Sequence, residues 1–170
     1  MDSSRTLLVI RHAKSDQHAG VADHERPLND RGRRDAPALG RWLAADGPQI
    51  GLVLCSSAVR AQQTWDLAAA QLQARPPLDV TDALYDASPR EVLELLHEVD
   101  DDVQVVAVVG HEPTQSGVVG LLAGTGDPAA EAALREGFAT SAVAVLDLSS
   151  GWSELAEGSA YLSGLQAPRG

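Results

Sequence analysis

Residues 103–109 have the sequence Val-Gln-Val-Val-Ala-Val-Val, a β-branched and nearly continuous apolar stretch. Such a stretch is typical of a central strand that is buried on both faces of a parallel sheet. Shorter apolar runs predict further strands at residues 6–10, 52–55 and 78–81. Helical stretches separate these runs, as in proteins with a mostly parallel sheet. The sequence therefore predicts an α/β three-layer sandwich with helices on both faces and residues 103–109 in the middle of the sheet.

Four helices are predicted from capping residues and apolar periodicity. Asn29 is the expected N-cap of a helix that runs to about Ala45, and Ser57 is the expected N-cap of a second helix. The stretch Ser88-Pro89-Arg90-Glu91 has the form of a capping box with proline at the first helical position. A fourth helix is expected over about residues 114–123.

The C-terminal part of the chain is expected to add antiparallel strands to the sheet. Ser149-Ser150-Gly151 is a turn-like link between the stretches 142–148 and 152–156, so these two stretches are predicted to form a hairpin. The tail after Leu162 is expected to be loosely ordered.

Length and composition predict one domain over residues 1–170. With 170 residues and 44% hydrophobic content, the chain is long enough to bury a substantial core. Cys55 is the only cysteine, so one chain cannot form a disulfide, and we expect this thiol to be buried in its strand. No stretch approaches the roughly 18 consecutive apolar residues of a membrane span. The N-terminus lacks a signal-peptide core, and a cytoplasmic location is predicted.

Charge is unevenly distributed along the chain. The net charge is −11, which argues against nucleic acid or an anionic membrane as a partner. Residues 1–60 hold nine Lys or Arg against seven Asp or Glu, whereas residues 61–170 hold four against seventeen. A local cationic region on an acidic protein indicates a pocket that binds a small anionic group. An uneven distribution of surface charge, without such a pocket, gives the same residue counts.

Cationic and imidazole side chains follow three of the predicted strands. Arg11 and His12 follow residues 6–10, His111 follows residues 103–109, and Arg60 lies in the first turn of the helix after residues 52–55. The carboxyl ends of parallel strands meet at one edge of a sheet, where ligands bind in open α/β folds. Each residue alone has an ordinary structural interpretation, but together they predict an oxyanion site.

The same segments resemble a known family. Three motifs are similar to the signatures of the histidine phosphatase superfamily, the phosphoglycerate mutase-like group: Arg11-His12-Ala13, Ser56-Ser57-Ala58-Val59-Arg60-Ala61-Gln62-Gln63-Thr64 and Gly110-His111. Three longer patterns resemble the small SixA-type phosphohistidine phosphatases in particular: Arg11-His12-Ala13-Lys14-Ser15, Arg26-Pro27-Leu28-Asn29 with Gly32, and Leu84-Tyr85-Asp86-Ala87-Ser88. The resemblance extends from about Thr6 to Trp152.

The resemblance implies a chemical role for each residue of the site. His12 is the expected nucleophile, which becomes a phosphohistidine, and Arg11, Arg60 and His111 are expected to hold the phosphoryl oxygens. This chemistry requires no metal or other cofactor, and the sequence suggests none. Positioning and electrostatic stabilisation are the main sources of catalysis in phosphoryl transfer.

Three further side chains have open assignments. The proton donor to an ester leaving group is Asp86 or Glu112, because relatives place this acid at either position. Arg26 is a further expected phosphate contact. A salt-bridged loop arginine beside Asp23 and Glu25 is the equal alternative.

The predicted function is a metal-independent phosphatase. By resemblance its substrate is phosphohistidine on a protein. The alternatives are a small-molecule phosphomonoesterase or a mutase and, in another class, a module that binds a phosphorylated ligand without turnover. The expected partner is thus a phosphorylated protein or a small phosphorylated molecule. The sequence leaves the oligomeric state open.

Overall fold

The computed structural model describes residues 4–18 and 20–170. Seven strands are present in this part of the chain: β1 Arg5–Arg11, β2 Leu52–Ser56, β3 Leu78–Thr81, β4 Val105–Gly110, β5 Ala123–Gly126, β6 Val143–Leu148 and β7 Ala160–Gln166. Five α-helices accompany them: α1 Asp30–Ala45, α2 Val59–Ala69, α3 Pro89–His97, α4 Thr114–Leu122 and α5 Pro128–Glu136. Three short 3₁₀ segments lie at Asp23–Glu25, Asp82–Leu84 and Trp152–Glu154.

All seven strands form one sheet in the order β3-β2-β4-β1-β6-β7-β5. The pairs β3–β2, β2–β4, β4–β1 and β7–β5 are parallel, whereas β6 is antiparallel to both β1 and β7. Strand β4 lies between β2 and β1, and all six of its residues are buried. The predicted α/β fold and the central position of this strand are confirmed.

Two hydrophobic clusters cover the two faces of the sheet. Alternate residues of β1 belong to different clusters. Leu7 and Val9 pack with residues of α3 and α4. Leu8 and Ile10 pack with residues of α1 and α2. This alternation follows from the period of two in a strand, and it places helices on both faces. Cys55 is buried in the second cluster as predicted, and burial raises the pKa of its thiol to about 12.

The helix caps agree with the sequence at two positions and differ at a third. The Asn29 side chain accepts a hydrogen bond from the Gly32 amide at 2.9 Å, and Ser88 forms the predicted capping box with Glu91. The prediction for Ser57 was wrong, because the N-cap of α2 is Ala58. The Ser57 hydroxyl instead donates to Asp82, so tertiary contacts outweigh its local capping preference.

The C-terminal hairpin exists, but the prediction of its second strand was wrong. Residues 152–154 form a 3₁₀ turn, and the strand that pairs with β6 is β7. Trp152 is fully buried, and its indole N–H donates to the Val103 carbonyl at 2.7 Å, so it fills the core beside the sheet. The expectation of a loosely ordered tail after Leu162 was also wrong, since β7 continues to Gln166.

Among the residues that the structure describes, no helix has both the length and the apolar character that a membrane crossing requires.

Candidate active site

The site lies at the carboxyl ends of three neighbouring strands. Strand β1 ends at Arg11 and β4 ends at Gly110, and these two residues are paired in the parallel register. Strand β2, on the other side of β4, ends at Ser56. The parallel register therefore brings His12 and His111, the residues that follow β1 and β4, next to each other. Their ring centroids are 5.2 Å apart, with 54° between the ring planes.

A cavity of about 200 Å³ opens at this edge of the sheet. Six of the residues that line it are those that the sequence indicates as phosphate ligands or catalytic groups: Arg11, His12, Arg26, Arg60, His111 and Glu112. The remaining walls of the cavity come from Lys14, Ser15, Gln17 and Thr140. Asp86 is exposed and does not line it.

The imidazole of His12 is buried and fixed in one tautomer. Its Nδ1 lies 2.7 Å from the Ala13 carbonyl oxygen. A carbonyl can only accept, so Nδ1 carries the proton and Nε2 keeps a free lone pair. The pKa of His12 is lowered to about 3, first by burial and then by His111, Arg60 and Arg11, against the opposing effect of the Ala13 carbonyl. Burial, more than the arginine neighbours, keeps this imidazole neutral.

His111 is held through its other ring nitrogen, Nε2. Its Nε2 lies 2.7 Å from the Ser56 hydroxyl, which also accepts the Ala58 amide at 3.3 Å. When the Ser56 O–H donates to Nε2, the proton of His111 is on Nδ1, as it is in His12. This Nδ1 is buried without a partner within residues 4–18 and 20–170. Burial and the charge of Arg60 lower the pKa of His111 to about 4, so the ring is a neutral donor at pH 7.

Two guanidinium groups are held by their terminal nitrogens. Arg11 Nη1 donates to the Phe138 carbonyl at 2.8 Å. Arg60 Nη1 donates to the Asp23 carbonyl at 2.7 Å, and its Nη2 donates to the Asp23 carboxylate at 3.1 Å. The Nε atoms of both arginines are buried and have no partner among the described residues. Arg11 Nε, Arg60 Nε and His111 Nδ1 are therefore three nitrogens without partners among the described residues, on side chains that line one cavity.

Asp23 is the main residue of the site whose position the sequence did not predict. Its carboxylate accepts hydrogen bonds from Arg26, Arg60 and the Tyr85 hydroxyl. These donors, Tyr85 first, hold the pKa of Asp23 well below its usual range. Arg26 forms a salt bridge with Asp23 at 3.0 Å and also lines the cavity, where its contact with phosphate stays a prediction.

Glu112 lies at the rim of the cavity in a fixed orientation. One carboxylate oxygen accepts the Ser116 amide and the other accepts the Ser116 hydroxyl, each at 2.7 Å. Of the two acids named from the sequence, the structure thus brings Glu112 to the cavity and leaves Asp86 in an exposed turn.

Buried polar side chains attach the segment around His12 to the helices beneath it. The Thr64 hydroxyl accepts the Ala13 amide at 2.9 Å and donates to the Arg60 carbonyl at 2.7 Å. Gln115 donates to the Ile10 carbonyl at 2.7 Å. Thr64 falls within the motif that follows β2, which is the one sequence signal that could have identified it. No cluster of three or more His, Cys, Asp or Glu side chains suited to a metal ion occurs in the described residues.

The fold and this cavity define the class of the protein: an α/β protein with a cavity at the carboxyl edge of its sheet, lined by two arginines and two histidines among other residues. Residues 7–103 match the model of the histidine phosphatase superfamily (branch 1). The match covers more than half of the chain, and the chain belongs to this superfamily. It is therefore a phosphatase by family.

Similar proteins extend the comparison over almost the full length. An uncharacterized protein of Mycobacterium tuberculosis is 44% identical over 163 residues, which are 94% of this chain and 100% of the relative. The structure of a candidate phosphohistidine phosphatase SixA from Nakamurella multipartitia has a TM-score of 0.82 and 31% identity, covering 97% of this chain and 96% of that one. Its counterpart from Agrobacterium tumefaciens has a TM-score of 0.82 and 29% identity, covering 96% and 98%. Within the superfamily, the similarity is to the SixA type.

Proposed function

We propose that this chain is a metal-independent phosphatase that acts through a phosphohistidine intermediate on His12. One observation carries the proposal: Arg11 Nε, Arg60 Nε and His111 Nδ1 are buried nitrogens without partners among the described residues, and all three belong to residues that line the cavity with His12. Buried polar groups are usually hydrogen-bonded, so two arginine N–H groups and an imidazole nitrogen without partners around one cavity favour an anionic ligand there, with the His111 proton on Nδ1.

The nucleophile is in the required state before substrate binds. Its Nε2 lone pair is free because the Ala13 carbonyl accepts the Nδ1 proton. In the proposed reaction, Nε2 attacks phosphorus, and the bond between phosphorus and the leaving group breaks. The ring then carries a positive charge, which the Ala13 carbonyl stabilises. Water attacks the phosphoryl group, the P–N bond breaks with its electron pair returning to Nε2, and phosphate leaves.

The unused donors stabilise the charge that develops on the phosphoryl oxygens. Donors that are already oriented cost no reorganisation during the reaction, and each contributes on the order of 10²–10³ in rate in comparable oxyanion sites. Arg11 and Arg60 are fixed through Phe138 and Asp23, so their Nε atoms need not reorient.

The proposed substrate is phosphohistidine on a protein. The SixA candidate that is 31% identical over nearly the whole chain supports this choice. The leaving imidazole is neutral once protonated, so it requires less help from an acid than an alcohol does. Glu112 is the acid that lines the cavity, and we propose that it, and not Asp86, faces the leaving group.

The substrate class is tested by comparing kcat/KM on a phosphohistidine protein with kcat/KM on simple phosphoesters. The proposal predicts that phosphohistidine is preferred by at least about tenfold, which corresponds to a difference of roughly 1.4 kcal/mol in transition-state stabilisation. A preference for small esters would identify a phosphomonoesterase instead. Tight phosphate binding without turnover of any substrate would identify a binding module.

A further inference from the structure

A larger groove adjoins the phosphate cavity. Its volume is about 630 Å³, and it shares Arg11 and Glu112 with the smaller cavity. Its other walls come from the end of α5, the segment that leads into β6 and the end of β7. The groove therefore borders the site where the proposed phosphoryl transfer takes place.

The two volumes imply a division of the substrate between them. Pockets that enclose a whole small ligand usually measure roughly 300–1,000 Å³, and the phosphate cavity of about 200 Å³ is below that range. The larger groove lies within it. The smaller cavity thus suits the phosphoryl group, and the groove suits the part of the substrate beyond it.

The groove differs from the phosphate cavity in charge. Beyond the shared Arg11, its charged lining residues are Glu112 and Glu136. Both carboxylate oxygens of Glu112 are already bonded to Ser116, whereas Glu136 is exposed and has no ion pair within the described residues. Phe138 and Leu165 supply apolar wall between them. An anionic leaving group is disfavoured here, and a basic or apolar segment is favoured.

We propose that the groove binds the polypeptide segment that flanks the phosphohistidine of the substrate protein, with a Lys or Arg of that segment against Glu136. This inference rests on the proposed function, because it assigns the groove to the substrate of that same site. The charge of the chain agrees with it, since residues 61–170 hold seventeen Asp or Glu against four Lys or Arg.

The test uses two synthetic peptides that carry phosphoryltriazolylalanine, a stable analogue of phosphohistidine. The peptides are identical except that lysines flank the analogue in one and glutamates in the other. Titration calorimetry measures Kd for the wild type and for Glu136→Arg. Glu94→Arg is the matched control, since Glu94 is an exposed glutamate on α3 that lines neither cavity and makes the same charge change. Thermal unfolding midpoints check that each variant is folded.

The wild type is expected to bind the lysine peptide several-fold more tightly than the glutamate peptide. Exposed ion pairs are worth about two- to fivefold in affinity, and reversing the charge adds repulsion, so Glu136→Arg is expected to weaken the lysine peptide by about tenfold. Equal binding of the two peptides by the wild type, or the same loss in Glu94→Arg, would overturn the inference. The two proposals fail separately: absent hydrolysis of the corresponding phosphohistidine peptide contradicts the proposed function, while the Kd values still decide the role of the groove.

Discussion

Asp23 holds Arg60 through two different oxygens, its backbone carbonyl to Nη1 at 2.7 Å and its carboxylate to Nη2 at 3.1 Å. Each terminal nitrogen of the guanidinium therefore donates to this one residue, and the buried Nε has no partner among the described residues. Arg60 itself is buried in the first turn of α2, whereas Asp23 belongs to a 3₁₀ turn outside the sheet. Asp23, which lies outside the sheet, thus orients the Arg60 side chain, which follows the carboxyl end of a strand.

Asp23→Asn tests this positioning role. Loss of the charged acceptor lets the Arg60 guanidinium reorient, and kcat is expected to fall by about tenfold, since small misplacements of a catalytic group are costly. KM for a small phosphoester is expected to stay level or fall, because a carboxylate that repels the phosphate has been removed. Steady-state kinetics measure both constants. Asp82→Asn is the control, because Asp82 is a highly exposed aspartate outside the cavity. A raised KM with unchanged kcat would contradict the positioning role.

The two histidines predict how stability depends on pH. Their folded-state pKa values are lowered to about 3 for His12 and about 4 for His111, from 6.5 in the unfolded chain. Between pH 6.5 and about 4 the unfolded chain therefore binds protons that the folded protein does not. The free energy of unfolding decreases as pH falls through this window, by up to about 1.4 kcal/mol per pH unit for each histidine.

Urea unfolding between pH 7 and pH 4 measures this slope. His111→Gln is expected to reduce it, because one of the two neutral rings is then absent. Imidazole NMR shifts measure the charge of each ring directly, and both wild-type rings are expected to stay neutral at pH 5. A ring that titrates near pH 6.5 in the folded protein would contradict the assignment of buried, neutral histidines.

Substitution of Glu112 and substitution of Asp86 are expected to change the rate of ester hydrolysis to different extents. Glu112→Gln is expected to slow hydrolysis of alkyl phosphates by roughly 10²-fold if it protonates the leaving oxygen, and to slow phosphohistidine hydrolysis much less. Asp86→Asn is expected to change both rates little, since this residue does not line the cavity. Rates over a series of esters with different leaving-group pKa values measure the effect. If Asp86→Asn slowed ester hydrolysis more than Glu112→Gln does, the acid would be Asp86 instead.

The sequence was sufficient to predict strands and helix caps from local patterns, and to predict which residues meet at the ends of the strands. The apolar run at residues 103–109, the Asn29 cap and the Ser88 box are local signals, and the structure confirms each. Because parallel strands end at one edge, His12 and His111 could also be expected to lie together. Helix α5 was missed although its signal was local: the Asp127 side chain caps it, followed by Pro128.

The incorrect or missing predictions involve contacts between distant parts of the chain. Ser57 has a good capping side chain, but its hydroxyl bonds to Asp82, 25 residues later. Trp152 has high strand propensity, yet it lies in a 3₁₀ turn, from which its ring is buried in the core. Asp23 is 62 residues from Tyr85 and 37 from Arg60, and no periodicity connects them. Such contacts depend on how loops pack against the finished sheet.

The central claim is that His12 accepts the phosphoryl group. Rapid quench of the wild type with a ³²P-labelled phosphodonor tests it most directly, with His12→Ala as the control. The account predicts a transient phosphoenzyme that is acid-labile and base-stable, that maps to His12 by peptide analysis, and that His12→Ala does not form. Turnover by His12→Ala within tenfold of the wild type, or label on another residue, would contradict it.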